Sequence, residues 1–416
     1  LEDCLRIGID NNLSLEGKRK EIQKSKYGVS ENRSKLLPQI TVIAGYNNNF
    51  DPPVSVTDGS SYGVPYNITK TLQHTANAGL EMQMPLFNQT LYTSMSIAKV
   101  MEEISRLSYG KAREDIIMQI SKMYYLGQVT AEQIVLIKAN ITRLEELRDI
   151  TQAFFDNGMS MEVDLKRVNI NLENLKVQYD NAQAMMKQQL NMLKYIMDYP
   201  AEKEFVLTPV NTDSITTVAL TGLSENIYEL QLSQSQVQLA EKQKKIISNG
   251  YIPSLSLTGS WRYAAYTDKG YHWFHSGPSN HWFRSYGLGL TLRIPIFDGL
   301  DKTYKIKKAM IDIENSKLAW ENARKSLQTQ YLNAVNDLMN NQRNFKKQKD
   351  NYLLAEDVYT VTSDRYREGI ASMTEVLQDE MQMSEAQNNY ISAHYNYRIT
   401  NLMLLKLTGQ IESLVK

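Results

Sequence analysis

Apolar and polar positions alternate along this chain in two rhythms, and each rhythm occurs twice. From Leu1 to about Leu36 the pattern is helical and polar, and Leu37-Pro38-Gln39-Ile40 ends it. Ile40, Val42, Ala44 and Tyr46 then alternate with Thr41 and Gly45, the period-two signature of a two-faced strand. Residues 47–74, rich in Asn, Pro, Gly, Ser and Tyr, read as a loop. Ala78, Leu80, Met82 and Met84 alternate with Asn77, Gly79, Glu81 and Gln83 up to Pro85, so a β-hairpin with one apolar face is expected at about 39–86.

The rhythm then lengthens. From Asn88 to about Asn157 there is no proline, and Ile134, Ile137, Ile141, Leu144, Leu147, Thr151 and Phe154 step by three and four, which is coiled-coil spacing. A helix of roughly 70 residues spans on the order of 100 Å, too long for a globular core. Asn157-Gly158 breaks it, Ser160 is placed to cap the next helix, and Leu172, Leu175, Tyr179, Ala182, Met186, Leu193 and Ile196 carry the seam back. These residues predict a long antiparallel helical hairpin at about 88–197, with its turn at 157–160. Tyr199-Pro200, Pro209 and a Thr-rich run make residues 199–224 an irregular connector.

The same order recurs in residues 225–416: a polar helix, a β-hairpin at about 254–296, and a long helical hairpin at about 299–408 with its turn at 368–372. Leu255, Leu257, Gly259 and Trp261 share one strand face, residues 265–284 read as an aromatic loop, and Leu288, Leu290, Leu292 and Ile294 alternate with Gly287, Gly289, Thr291 and Arg293. Ile313, Trp320, Ala323, Leu327, Tyr331, Ala334 and Leu338 form the outgoing seam; Met383, Ala386, Tyr390, Ala393, Tyr397, Leu404 and Leu407 form the return. The return seams are offset by 383 − 172 = 211 and 404 − 193 = 211, and the breaker glycines by 369 − 158 = 211. Shared offset and shared turn mark an internal duplication, residues 1–198 against 225–416. Each strand-to-helix junction carries Pro, apolar, Phe, Asn/Asp: Pro85 with Phe87, and Pro295 with Phe297, each proline suiting the last residue of a strand.

Composition narrows the function. Lys+Arg and Asp+Glu are both 46, with none of the basic excess that nucleic-acid binding uses. No apolar run reaches the ~18 to 20 residues of a spanning helix, but a β-barrel needs only every second residue apolar. The single cysteine, Cys4, excludes an internal disulfide framework and reads as a small helix residue. The chain opens inside a helical pattern, as a mature or trimmed form would. His272-Trp273-Phe274-His275 and His281 match no common zinc spacing and read as aromatic packing. No phosphate loop, G-x-S-x-G or H-E-x-x-H is present, so no enzyme, cofactor or metal is expected.

Four two-faced strands cannot close a barrel, and symmetric association is the economical way to remove their edges. Three copies would supply twelve strands, with the apolar face in lipid, Glu81, Gln83, Arg262, Thr291 and Arg293 toward a wet lumen, and Tyr46, Trp261 and Tyr263 at an interfacial girdle. The competing architecture is a periplasmic coiled-coil scaffold or adaptor with a soluble sheet.

The two Pro-apolar-Phe-Asn/Asp junctions, the Leu/Ile-Pro strand entries and the two glycine turns together resemble the TolC family of outer-membrane efflux proteins, over nearly the whole chain. The resemblance implies an α+β membrane protein: a trimeric twelve-stranded outer-membrane barrel continued by an α-helical coiled-coil tunnel into the periplasm. It implies a passive exit duct of a tripartite efflux or type I secretion system, whose partners are a periplasmic adaptor (membrane fusion protein) and an inner-membrane pump. It also places the glycine turns, Gly158 with Ser160 and Gly369 with Ser372, at an adaptor-docking tip, with a gate of acids there. Glu375 matches the gate pattern; Gln378 stands where a second acid is usual, with Asp379 beside it. Tyr366 and Asp164 match a pair that resembles the family's closing hydrogen bond.

Overall fold

The computed structural model describes residues 1–58, 60–70, 72–208, 222–267 and 282–415. Pro209 with the Thr-rich run, and His272, Trp273, Phe274, His275 and His281, lie outside them. The chain folds as two compact units, and the division between them falls inside four helices: residues 23–103 with 235–316 form one unit, and residues 1–22, 104–234 and 317–416 the other.

The first of these units is built on an antiparallel sheet of four long strands, β1 (Gln39–Asn48), β4 (His74–Phe87), β5 (Ser254–Thr267) and β6 (Trp282–Arg293), in the order β1-β4-β5-β6. Each repeat supplies one hairpin, and β4 against β5 joins them. Pairing is in register across all four strands, for example Val42 with Leu80, Leu80 with Trp261 and Trp261 with Tyr286. Alternation therefore sorts whole rows by face. One face carries Ile40, Val42, Leu80, Met82, Leu255, Leu257, Trp261, Leu288, Leu290 and Leu292; the other carries Gln39, Thr41, Glu81, Gln83, Thr258, Ser260, Arg262, Thr291 and Arg293. Much of the apolar face is bare within the chain, Val42 being 74% and Leu288 80% exposed.

Three local expectations change here. The 47–74 stretch is more than a loop: β2 (Val54–Asp58) and β3 (Tyr66–Lys70) pair as a small hairpin, because Val54 and Val56 oppose Lys70 and Ile68 in the same alternation. The aromatic stretch from 265 begins in strand, since β5 runs to Thr267 and β6 opens at Trp282. The two junction prolines are not equivalent. Pro85 lies inside β4 opposite Ser256, where the register shifts before Phe87, whereas Pro295 lies beyond the end of β6. What the junctions do share is the following polar residue. Asn88 Oδ1 accepts from the N–H groups of Thr90 and Leu91, and Asp298 Oδ2 from that of Lys302, so each caps the helix it precedes.

The other unit is helical. The expected first helix is two: α1 (Glu2–Asn11) and α2 (Leu13–Ser34). Asn12 separates them by leaving the helical conformation; its Oδ1 then accepts from Leu15 N–H while its Nδ2 donates to Ile196 O at 2.7 Å. Nor is α1 polar, because Cys4, Leu5 and Ile9 are buried against Ile117, Ile120, Leu193 and Met197. The long helices are α3 (Gln89–Asp156), α4 (Glu162–Met197), α5 (Tyr228–Asn249), α6 (Asp301–Arg367) and α7 (Met373–Leu407). Their starts repeat at 301 − 89 = 212 and 373 − 162 = 211. The predicted seams are the packed ones: Leu144, Leu147, Leu172 and Leu175 form one cluster with Tyr359, Val376 and Met383, and Leu327, Tyr331, Ala334 and Leu338 form another with Tyr397, Leu404 and Leu407. Tyr179 and Met186 are half-buried at the edge of the return seam. Within α3, Gly110 is required by contact, since a Cβ there would lie 2.4 Å from the ring of Tyr228.

Candidate functional site

Both helical hairpins turn in the same way. Gly158 and Gly369 have φ of 73° and 77°, the left-handed region that glycine enters without steric cost. Gly158 N–H donates to Phe155 O and Met159 N–H to Phe154 O; Gly369 N–H donates to Tyr366 O and Ile370 N–H to Arg365 O. These paired bonds close each helix with a Schellman motif. The helices that follow start differently. Ser372 caps α7 through a full capping box: its Oγ accepts from Glu375 N–H at 3.3 Å, and Glu375 Oε2 accepts from Ser372 N–H at 3.1 Å. Ser160 does not cap α4. The N-cap is Met161, at the repeat-equivalent position of Ser372 (372 − 211 = 161), with no side-chain bond to offer; Ser160 sits one residue earlier, its Oγ buried without a partner.

Tyr366 is buried, and its hydroxyl donates to Thr151 Oγ1 at 3.3 Å, with its ring 5.6 Å from that of Phe154. The expected Tyr366–Asp164 bond is therefore replaced by a Tyr366–Thr151 bond between α6 and α3. Asp164 instead pairs with Arg167 at 3.3 Å, where the carboxylate keeps contact with water; Arg167 also reaches Thr374 Oγ1. Burial pushes the Tyr366 hydroxyl pKa up, the Thr151 bond opposes that, and the Asp164 charge adds to it. Of the acids proposed for the tip, Glu375 is exposed but engaged in the cap, and Asp379 is half-buried beside exposed Gln378. The buried acid is Glu380, 5% exposed, with Oε1 unpartnered and its pKa raised by burial.

Glu380 opens a row that the apolar reading of α7 passed over. Glu380, Gln387, His394 and Asn401 recur every seven residues and are all buried. Two of them meet polar residues of α3. Asn140 Nδ2 donates to Gln387 Oε1 at 2.7 Å; Glu132 accepts from Tyr390 Oη at 3.1 Å and lies 3.4 Å from His394 Nδ1. Arg398 donates to His394 Nε2 and to Gln128 Oε1, so the His394 proton sits on Nδ1, facing Glu132. Burial raises the Tyr390 hydroxyl pKa and lowers that of Arg398. Among the described residues, no group of three His, Cys, Asp or Glu side chains is arranged to hold a metal, and no helix is long and apolar enough to cross a membrane.

Two matched glycine turns at the ends of helical hairpins, and a two-faced sheet left bare on its apolar side, agree with one family model. Residues 7–197 and 211–410 match that of the outer membrane efflux proteins. The chain belongs to this family. It is 21% identical over 396 residues to outer membrane protein TolC of Vibrio cholerae, covering 92% of this chain and 84% of the relative. It is 23% identical over 382 residues to a probable efflux pump outer membrane protein, TtgC, of Pseudomonas putida, covering 86% and 75%. The open-state MtrE outer membrane channel of Neisseria gonorrhoeae superposes with a TM-score of 0.79 at 18% identity, over 98% of this chain and 88% of that one. As an outer membrane efflux protein, the chain is a channel component of the outer membrane that extends into the periplasm, and its family is one of channels, not enzymes.

Proposed function

We propose that three copies close into a homotrimer, their 3 × 4 strands forming one twelve-stranded barrel in outer-membrane lipid and their helices a tunnel through which substrate leaves passively. The observation that carries this reading is the sheet: its apolar face is bare, and its edge strands β1 and β6 each have one unpaired side within the chain. An open edge next to an apolar face is stable in lipid only when another strand pairs with it. The helices support the same closure. Val163, Ile170 and Val177 of α4 are exposed at steps of seven, as are Leu332 and Met339 of α6, in positions that a neighbouring copy would cover. The duplication divides the chain into repeat 1 (1–198), an equatorial connector (199–224) and repeat 2 (225–416).

Energy comes from an inner-membrane pump, handed over by a periplasmic adaptor that meets the turns at Gly158, Ser160, Gly369 and Ser372. The gate is the tip cluster, in which Tyr366 and Thr151 tie α6 to α3, with Asp164, Glu375, Gln378 and Asp379 around it. The assembly is tested by the mass of the purified protein in detergent, which should be that of three chains. The gate is tested in planar bilayers: Tyr366→Phe with Thr151→Val should raise single-channel conductance. An unchanged conductance would remove Tyr366 from the gate.

A further inference from the structure

Arg284 sits where a barrel usually carries no charge. The four long strands hold four Asp, Glu, Lys or Arg residues: Glu81, Arg262, Arg284 and Arg293. Three lie on the polar face, where Arg262 pairs with Glu81. Arg284 lies on the apolar face, because it pairs with Tyr263 and shares the row of Ala78 and Ala44. Its neighbours on that face are aromatic. Its guanidinium carbon stands 5.8 Å from the centre of the Tyr286 ring, Trp282 is two residues before it, and Tyr263 packs edge-on against Trp261 at 5.4 Å. No acid pairs with Arg284 among the described residues.

Strand direction fixes the level in the membrane. β4 and β6 lead into α3 and α6 at one end of the sheet, while β5 ends at Thr267 and β6 opens at Trp282 at the other, and Arg284 is two residues from that second end. From Leu292 to Arg284 is eight residues, roughly 27 Å along the strand and on the order of 20 Å along the membrane normal at ordinary barrel tilt. Leu288, Leu290 and Leu292 fill that interval on the apolar face. Aromatic residues on a lipid-facing surface mark the headgroup boundary, and an arginine is tolerated there far better than at the bilayer midplane. A guanidinium beside a ring, and unpaired with any described acid, presents paired donors suited to a phosphate.

We propose that Arg284 binds the phosphate of a lipid headgroup in the outer leaflet, making the aromatic end of β6 a lipid-anchoring site. This rests on the reading that the apolar face meets lipid. The test uses the full chain reconstituted in phosphatidylethanolamine vesicles with either phosphorylated lipid A or its dephosphorylated form, followed by native mass spectrometry of the lipid retained after gentle extraction. Wild type and Arg284→Lys should retain phosphorylated lipid A in preference to the dephosphorylated form, and Arg284→Gln should lose that preference. Equal retention of the phosphorylated lipid by Arg284→Gln and wild type overturns the proposal, and so does its displacement by inorganic phosphate, which would mark a solution-anion site. A spin label at Leu290→Cys, in a Cys4→Ala background, separates the two levels. Accessibility to oxygen with lost lipid preference supports the anchor, accessibility to oxygen with unchanged retention defeats only Arg284, and accessibility to a nickel chelate defeats the lipid-facing reading itself.

Discussion

Glu114 gives the sharpest test of the helical unit. It is 5% exposed on α3, beside Lys111 and Asp115, and it faces Tyr228 of α5, Lys406 of α7 and Glu412. Its neighbours are paired around it: Lys406 with Asp115 at 2.6 Å, Arg113 with Glu412 at 2.5 Å and Lys111 with Glu229 at 3.1 Å. Burial pushes the Glu114 carboxyl from 4.5 up to about 7, Lys406 pulling it down and Glu412 pushing it further up. In the unfolded chain Glu114 loses its proton near 4.5, while the folded chain holds it to about 7, so the folded state binds more protons in between and stability falls as pH rises through that window. At about 1.36 kcal/mol per pH unit, the interval amounts to roughly 3 kcal/mol. Glu114→Gln keeps the shape and removes the titration. Urea unfolding of the detergent-solubilised protein should show the variant close to wild type at pH 4.5, gaining on it steadily, and more stable by up to about 3 kcal/mol at pH 8. Because other acids titrate in both proteins, the difference between them is the quantity to read. A difference that stays constant from pH 4.5 to 8 would show that Glu114 is hydrated and ionised in the folded chain, and would refute the argument.

Other substitutions test single contacts. Ser372→Ala removes the capping box and should cost ~1 kcal/mol, with faster hydrogen exchange confined to the first turn of α7, while Ser160→Ala should leave exchange in α4 unchanged because Ser160 is not a cap. Gly369→Ala places a side chain at φ 77° and should cost about 1 to 2 kcal/mol in the same unfolding assay. Asn140→Leu alone should cost about 1 to 3 kcal/mol, since it takes from buried Gln387 its partner on α3, whereas Asn140→Leu with Gln387→Leu should recover most of that loss; additive losses would show that the pair is not coupled. Leu290→Arg should destabilise the protein folded in liposomes by about 2 to 4 kcal/mol, read by urea titration, and Thr258→Arg, on the polar face of the neighbouring strand, should not.

The sheet and the seams could be read from sequence because each is a periodicity that burial or lipid enforces along its whole length. A strand with Ile40, Val42 and Ala44 on one side and Thr41 and Gly45 on the other has one sensible register, and seams stepping by three and four return the same buried residues from both repeats. What periodicity did not locate are decisions made by single polar atoms. Asn12 breaks a helical pattern because its side chain accepts from the Leu15 N–H and donates to the Ile196 carbonyl of α4. Ser160 reads as a cap because serine caps helices, but the N-cap position, with its extended backbone, falls to Met161. The resemblance pairs Tyr366 with Asp164, whereas folding gives the hydroxyl to Thr151, whose place in an apolar stripe does not reveal its hydroxyl as an acceptor. The β2–β3 hairpin is hidden by the Pro and Gly content around it, which obscures five paired residues on each strand.

The polar row on α7 shows how the two repeats have diverged. Subtracting 211 from Glu380, Gln387 and His394 gives Asn169, Lys176 and Gln183, none of which is buried, so α7 carries a set of interior polar groups that α4 lacks. An apolar seam tolerates sliding, because one leucine replaces another at little cost. A polar seam does not, since moving α7 against α3 by one heptad would take Gln387 from Asn140 and bring His394 to a different partner, leaving buried groups unsatisfied. The pair α3–α7 is therefore held in one axial register, and the Tyr366–Thr151 bond ties α6 to the same helix α3. α4 meets its neighbours mainly through leucines and valines at this level, with Val168, Leu172 and Leu175 buried, Val163, Ile170 and Val177 on its outer side, and the exposed Arg167–Thr374 bond to α7 as its polar contact there. If the tip opens by movement of one helix against the others, α4 has the fewest polar contacts to break, and the fixed core is α3 with α6 and α7.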